Sequence, residues 1–217
     1  VGSGTLYRWR HDNARRWYQI AQSHLDKSDS LNADILVGLG QLDLTQAGDV
    51  RSAMAYFSQA HTGYAQTNPA DEAFGTYLDA LIGRADTEAR LKIDPQAIMH
   101  FEEAVRFIKT VPRFAGEKRT HLIDVVRSHY DMAFDNKNYK RALDYLSLLQ
   151  PLPEKPVSML IELAGVHEKI AAEKKAMAMS QQADDNVPNL TLKARRLLNQ
   201  EAAEHYRQAA AFYLDHA

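Results

Sequence analysis

The chain has 217 residues, 26 basic and 28 acidic, and its formal net charge at pH 7 is −2, so no overall field would attract nucleic acid or an anionic membrane. Cysteine is absent, which excludes disulfides, thiolate catalysis and cysteine metal sites. With 45% hydrophobic and 25% charged residues the composition is that of a soluble folded protein, and no run reaches the roughly 18 apolar residues of a membrane-spanning helix.

The chain begins Val-Gly-Ser-Gly, which has the features of neither a signal peptide nor a natural start. We therefore expect a trimmed or mature form that lacks its targeting segment, or a fragment of a longer chain. The compartment stays open between the cytoplasm and the periplasm, with a bacterial envelope as one setting.

Apolar residues recur at helical spacing along the whole chain, whereas alternating runs rich in Val, Ile and Thr are almost absent. This pattern predicts an all-α protein. Breaks between the helices are marked by prolines and by capping residues. The nine predicted helices lie near residues 5–26, 31–46, 49–67, 69–90, 95–110, 115–136, 138–150, 155–183 and 188–215.

Four helix starts carry side chains that are typical of caps. Asn68 and Asp94 each precede a proline, which suits the first turn of a helix because its missing N–H would have no partner there. Asp49 follows a glycine, and Asn138 follows Lys137, so both are predicted to begin the next helix.

A small–large–small triplet recurs at positions i, i+4 and i+7, which share one face of a helix. The small residues let a neighbouring helix approach closely while the large residue fills the space between, so such a face needs a partner helix. The triplets are Ala14–Tyr18–Ala21, Ala53–Phe57–Ala60, Ala97–Phe101–Ala104 and Ala202–Tyr206–Ala209, and Ala142–Leu146–Leu149 is a degenerate copy. A further match, Ala73–Tyr77–Ala80, falls outside this series.

The triplet pattern resembles the second helix of the tetratricopeptide repeat family. The first helix of that family carries a large residue followed by Leu-Gly or Leu-Ala, and a tyrosine precedes the key alanine. The matching residues here are Leu36, Leu39 and Gly40 before Ala53, Ile82 and Gly83 before Ala97, Tyr139 before Ala142, and Leu163 and Ala164 before Ala202.

This resemblance implies a right-handed α-solenoid of antiparallel helix pairs that spans residues 1–217 as one domain. The first alanines of the triplets, at 14, 53, 97, 142 and 202, lie farther apart than the family's unit of about 34 residues, so the repeats would be long and irregular. The interval is widest around the predicted helix 155–183.

In the tetratricopeptide family the first helix of each pair lines a groove that binds partners. The positions that match are Gln41, Arg84, Glu168 and Lys169, with Arg127 and Asp131 added by counting back from Tyr139 and Ala142. Because this set mixes both signs of charge, it does not form a uniformly basic clamp for a terminal carboxylate.

Catalytic and metal-binding patterns are missing. The nine histidines include no His-Glu-x-x-His arrangement, and the paired carboxylates are typical of solvated helix faces. The glycines of GLG at 38–40 lie within a helical pattern, where they favour close helix packing over phosphate binding. We therefore predict no enzyme activity, no cofactor and no metal.

The resemblance thus implies a scaffold that binds a protein or peptide in its groove and helps to assemble a larger complex, without nucleic acid. Exposed aromatic residues near the chain start, Trp9 and Trp17, could dock a second subunit or segment. Two alternatives stay open: a helical ligand-sensing domain or enzyme with a buried pocket, and a homo-oligomer formed through the predicted helix 155–183 or the last helix.

Overall fold

The computed structural model describes residues 3–25, 30–64, 73–114, 116–152, 157–180 and 190–214, and within these ranges the protein is all-α, without strands. In these described ranges nine α-helices follow one another in the predicted order, and each overlaps its predicted range. They are α1 (Ser3–Ser23), α2 (Ser30–Leu42), α3 (Val50–Tyr64), α4 (Phe74–Arg90), α5 (Asp94–Thr110), α6 (Glu117–Asp135), α7 (Tyr139–Leu148), α8 (Val157–Ser180) and α9 (Leu190–Leu214). A π-helical segment (Asp43–Ala47) follows α2, and a 3-10 turn (Pro112–Phe114) follows α5.

Two of the predicted caps are confirmed by their hydrogen bonds. The Asn138 side chain accepts from the backbone N–H of Arg141, and Asp49 accepts from the backbone N–H of Ser52 at 3.1 Å. The prediction for Asp94 was wrong by one position, because Asp94 is already the first helical residue and Ile93 occupies the cap. Asn68 lies outside the described residues.

The triplets of the central helices are buried, as the pattern predicted. Their largest members, Phe57, Phe101 and Leu146, have at most 1% of their surface exposed, and the flanking small residues of α3 and α5 are fully buried. The last triplet differs, because Tyr206 is 43% exposed although Ala202 and Ala209 are buried. This residue therefore does not fill a core as its counterparts do.

The glycines of the GLG sequence on α2 allow two aromatic rings to lie against the helix backbone. A Cβ atom at Gly38 would stand 2.6 Å from the ring of Tyr18, and one at Gly40 would stand 2.9 Å from the ring of Phe57. Real Cβ atoms do not approach other atoms so closely, since the cost rises steeply in a close-packed interior. The prediction that these glycines permit close helix packing is confirmed.

The chain forms two compact units, residues 1–126 and 127–217, and the boundary falls within α6. In the first unit each helix from α1 to α4 packs against the next, and α2 also packs against α4. In the second unit α8 packs against α7 and, most extensively, against α9. That the whole chain is one domain stays a prediction. No helix among the described residues is long and apolar enough to cross a membrane.

Candidate functional site

The first unit contains a pocket of about 730 Å³, called here the first-unit pocket. Its walls come from α1, α2, the π-helical segment, α4 and α6, while α3 contributes the ring of Phe57. Its apolar lining consists of Tyr18, Leu42, Leu44, Phe57, Ile82 and Val125, with Gly38 and Gly83, and its polar lining consists of Gln41, Thr45, Asp79, Asp86, Arg90 and His121. A volume of this size is typical of ligand-binding clefts.

The π-helical segment after α2 forms part of this wall, through Leu44 and Thr45. The segment ends at Gly48, whose φ of 64° is left-handed, and the carbonyl of Asp43 accepts from the N–H groups of Gly48 and Asp49. Gly48 suits this position because a residue without Cβ adopts positive φ at no steric cost. Single π-helical turns often occur at functional sites, which is consistent with the position of this one beside the pocket.

The two carboxylates in the pocket wall are each paired with a cation. Asp86 is buried and accepts from Arg90 Nε at 2.9 Å, and Asp79 accepts from Lys118 Nζ at 2.7 and 2.5 Å. Asp86 and Arg90 stand one turn apart on α4, whereas Lys118 reaches Asp79 from α6. These pairs balance their charges, and the side chain of Arg90, which lines the pocket, is 40% exposed.

A buried acidic residue anchors the π-helical segment to α1. Asp43 is completely buried and forms an ion pair with Arg15, although neither carboxylate oxygen accepts a hydrogen bond of good geometry from the described residues. Removing a charge from water costs several kcal/mol, roughly, unless a partner compensates it. We therefore expect the ion pair with Arg15 to stabilise this part of the wall.

A chain of hydrogen bonds lies between α3, α4 and α5. Arg84 Nη1 lies 2.9 Å from His61 Nδ1, and since arginine can only donate, His61 accepts there and carries its proton on Nε2. That nitrogen lies 3.3 Å from the Tyr77 hydroxyl, which donates to Glu103 at 3.1 Å. Burial, and next the positive charge of Arg84, lower the pKa of His61, while burial raises the pKa of Tyr77 to about 12.

The same arginine also holds a buried ion pair. Arg84 Nε donates to Glu88 at 3.0 Å, and the other Glu88 oxygen lies 2.7 Å from His100 Nδ1. Glu88 and His100 are both buried. Burial alone would raise the pKa of Glu88, but the hydrogen bonds and charges of His100 and Arg84 lower it below its usual value. Arg84 is therefore held through two of its nitrogens, Nε by Glu88 and Nη1 by His61.

Polar and ring contacts also join helices of the second unit. Arg127 on α6 pairs with Glu162 on α8 at 2.5 Å, and Lys174 on α8 pairs with Glu201 on α9. His167 and His205 bring their Nδ1 atoms to 2.9 Å across the α8–α9 contact. The ring of His129 on α6 stacks on Tyr145 of α7, with centroids 5.3 Å apart.

The predicted groove residues occupy different surroundings. Gln41 is exposed and lines the first-unit pocket, but Arg84, in the same unit, does not line it and is held by His61 and Glu88. In the second unit Arg127 pairs with Glu162, and the other three predicted residues are exposed, namely Asp131, Glu168 and Lys169. A partner-binding role for these residues stays a prediction.

Sequence reasoning missed most of the polar pocket residues. Asp79, Gly83, Asp86 and Arg90 follow one another at helical spacing on α4, so this stripe was present as a signal on one helix face. His121 comes from α6 and had no local signal. Of the two aromatic residues that could dock a second subunit or segment, Trp17 is exposed, and the side chain of Trp9 lies outside the described residues.

No three His, Cys, Asp or Glu side chains come together in the described parts of the chain in a way that could hold a metal ion. The fold and the pocket define an all-helical protein with a partly polar cleft, and they name no enzyme class. No model of a known protein family matches the chain, and no curated protein matches it in sequence.

Proposed function

We propose that the chain is a tetratricopeptide-like α-solenoid that binds a peptide or protein partner without catalysing a reaction, as a scaffold of a larger complex. The observation that carries this proposal is the first-unit pocket, because α2, α4 and α6 are the helices that the repeat pattern assigns to the partner-binding side. All three contribute to its wall.

The helix succession of the first unit supports a repeat architecture. The helices α2 and α4 both pack on α3 and also on each other, as the first helices of successive pairs do in stacked helical hairpins. Phe57, the large residue of the α3 triplet, reaches the backbone of α2 at Gly40 and the wall of the pocket at the same time.

The lining of the pocket suits a segment with one bulky apolar side chain. The rings of Tyr18 and Phe57, with Leu42 and Leu44, provide an apolar floor, and apolar or aromatic anchors in such sites contribute most of the binding energy. The exposed side chains of Gln41 and Arg90 would then supply hydrogen bonds to the backbone of the partner. Because each carboxylate in the wall is already paired with a cation, the described residues of the pocket offer no free opposite charge to a strongly charged anchor.

The test uses a displayed library of random peptides as the probe. Selected peptides should bind the whole chain, and Gln41→Lys should weaken them at least tenfold, since it adds a long charged side chain at the pocket wall. Gln59→Lys is the matched control, because Gln59 is exposed on α3 and does not line the pocket. Equal binding by both variants would contradict the proposal.

A second candidate is a small-molecule sensor that uses the same pocket. It is favoured by the volume of about 730 Å³ and by the mixture of polar groups with aromatic walls. A thermal-shift screen with a metabolite library separates the two functions. If a compound raises the midpoint of unfolding in the native chain but not in Gln41→Lys, and no peptide is selected, the sensor is favoured. Self-association through the last two helices stays a prediction, to be measured by light scattering.

A further inference from the structure

The most extensive contact between helices of the second unit, that of α8 with α9, contains a pair of histidines that face each other. His167 on α8 is buried, and His205 on α9 is partly buried. Their Nδ1 atoms lie 2.9 Å apart, with ring centroids at 5.1 Å and ring planes tilted by 33°. This distance is that of a hydrogen bond between the two rings.

Such a bond depends on how many protons the pair holds. A neutral imidazole has one N–H, so one Nδ1 donates and the other accepts, and the same bond survives when one ring gains a second proton. When both rings are protonated, two N–H groups point at each other and two positive charges stand at hydrogen-bond distance. The contact can then no longer form, because neither ring offers an acceptor and like charges repel.

The charges around the pair come from both helices. His205 is influenced by Lys174 of α8 and by Glu201 and Glu204 of its own helix. Arg127 of α6 pairs with Glu162 of α8. On α7, Arg141 lies over the Tyr145 ring, and Lys140 and Asp144 are exposed.

We propose that the His167–His205 pair makes the packing of α9 on α8 sensitive to acid, so that the contact holds the two helices together at neutral pH and loosens as the pH falls below about 6.5. The contact would act as a pH-sensitive latch on the α8–α9 hairpin. This inference does not depend on the proposed function, because it uses only residues of the second unit and no partner.

The direction follows from the proton balance. Burial is the main cause that lowers the pKa of both rings, and the neighbouring histidine adds to it for His167, as Lys174 does for His205. Below a pH of about 6.5 the unfolded chain therefore binds more protons than the folded one, so stability is lost as the pH falls towards the folded pKa values. Above that range the contribution is fully present.

The first test is hydrogen exchange on the whole chain, read as protection factors that remove the intrinsic dependence of exchange on pH. Amides of α8 and α9 around the two histidines should lose about tenfold in protection between about pH 7 and about pH 5. Because exchange is read amide by amide, a loss of protection in α8 and α9 is distinguished from any acid effect of His61, which lies in the first unit. Unchanged protection would overturn the proposal.

His205→Gln tests the proton logic directly. A glutamine amide can donate to His167 or accept from it and gains no charge in acid, so this variant should lose clearly less protection than the native chain over the same range. His24→Gln serves as the control, because His24 is exposed on the first unit, and it should retain the full loss. If His205→Gln loses as much protection as the native chain, the latch does not exist.

A second measurement covers the case in which His205→Gln does not fold. In the native chain, the ring resonances of His167 and His205 should titrate below about 6.5 and in two coupled steps. Two independent titrations at or above that value would overturn the proposal.

Discussion

The ring of Phe57 on α3 lies against Gly83 of α4 so closely that a Cβ atom there would stand 2.5 Å from the nearest ring atom. The same ring meets Gly40 of α2, so one aromatic side chain joins three helices through two glycines. Both glycines are buried, and Phe57 is 1% exposed. Since Gly83 and Phe57 also line the first-unit pocket, this contact connects the core of the first unit to its candidate site.

Gly83→Ala should destabilise the protein by about 1–3 kcal/mol, because the added methyl group forces the Phe57 ring or the α4 backbone to move. Chemical denaturation measures the loss. Gly165→Ala is the matched control, since Gly165 lies within α8 and a Cβ there would meet nothing within 4 Å. That change should instead stabilise by about 0.5–1 kcal/mol through helix propensity. Equal effects of the two substitutions would contradict the packing described.

Phe57→Ala and Phe101→Ala should each destabilise by about 3–5 kcal/mol, since each removes a buried ring and leaves a cavity. Thermal or denaturant unfolding gives the values. Tyr206→Ala tests the same triplet position where the ring is 43% exposed, and it should cost far less. If neither phenylalanine substitution changes the free energy of unfolding appreciably, these rings do not fill the core.

Arg15→Leu should destabilise by about 3–5 kcal/mol, because it leaves the Asp43 carboxylate buried without its partner. The double variant Arg15→Leu with Asp43→Asn should recover much of this loss, since no charge then remains buried. A double-mutant cycle in urea measures the coupling between the two residues. If the destabilisation of the double variant equals the sum of the two single destabilisations, the ion pair does not hold the π-helical segment.

The hydrogen bonds of Arg84 predict acid sensitivity in the first unit. Because the pKa of His61 is lowered, its contribution to stability is present above about pH 6.5 and is lost as the pH falls towards the folded value. Glu88, whose pKa is also lowered, loses its contribution only below its usual value of 4.5. The His61 ring resonance should titrate below the usual histidine value of about 6.5, and a pKa at or above that value would disprove the accepting role of its Nδ1.

Arg84 shows how far a repeat pattern can predict the surroundings of a side chain. Its position two residues after Ile82 matched that of Gln41 after Leu39, and the equivalence suggested two residues of one groove. In the structure Gln41 lines the pocket, whereas the guanidinium of Arg84 turns to His61 and Glu88. A repeat register assigns a backbone position, but a long side chain is directed by whichever partners lie within its reach.

The amino-acid sequence by itself determined that the protein is all-α, the order of nine helices in the described residues, and the buried faces of the central ones. These features depend on residues three or four positions apart, which the spacing of apolar side chains, capping residues and glycines records directly. The first-unit pocket, the Arg84 contacts and the His167–His205 pair depended on the tertiary structure. Each of them joins side chains from different helices, and their distances follow from how the helices pack and not from any local pattern.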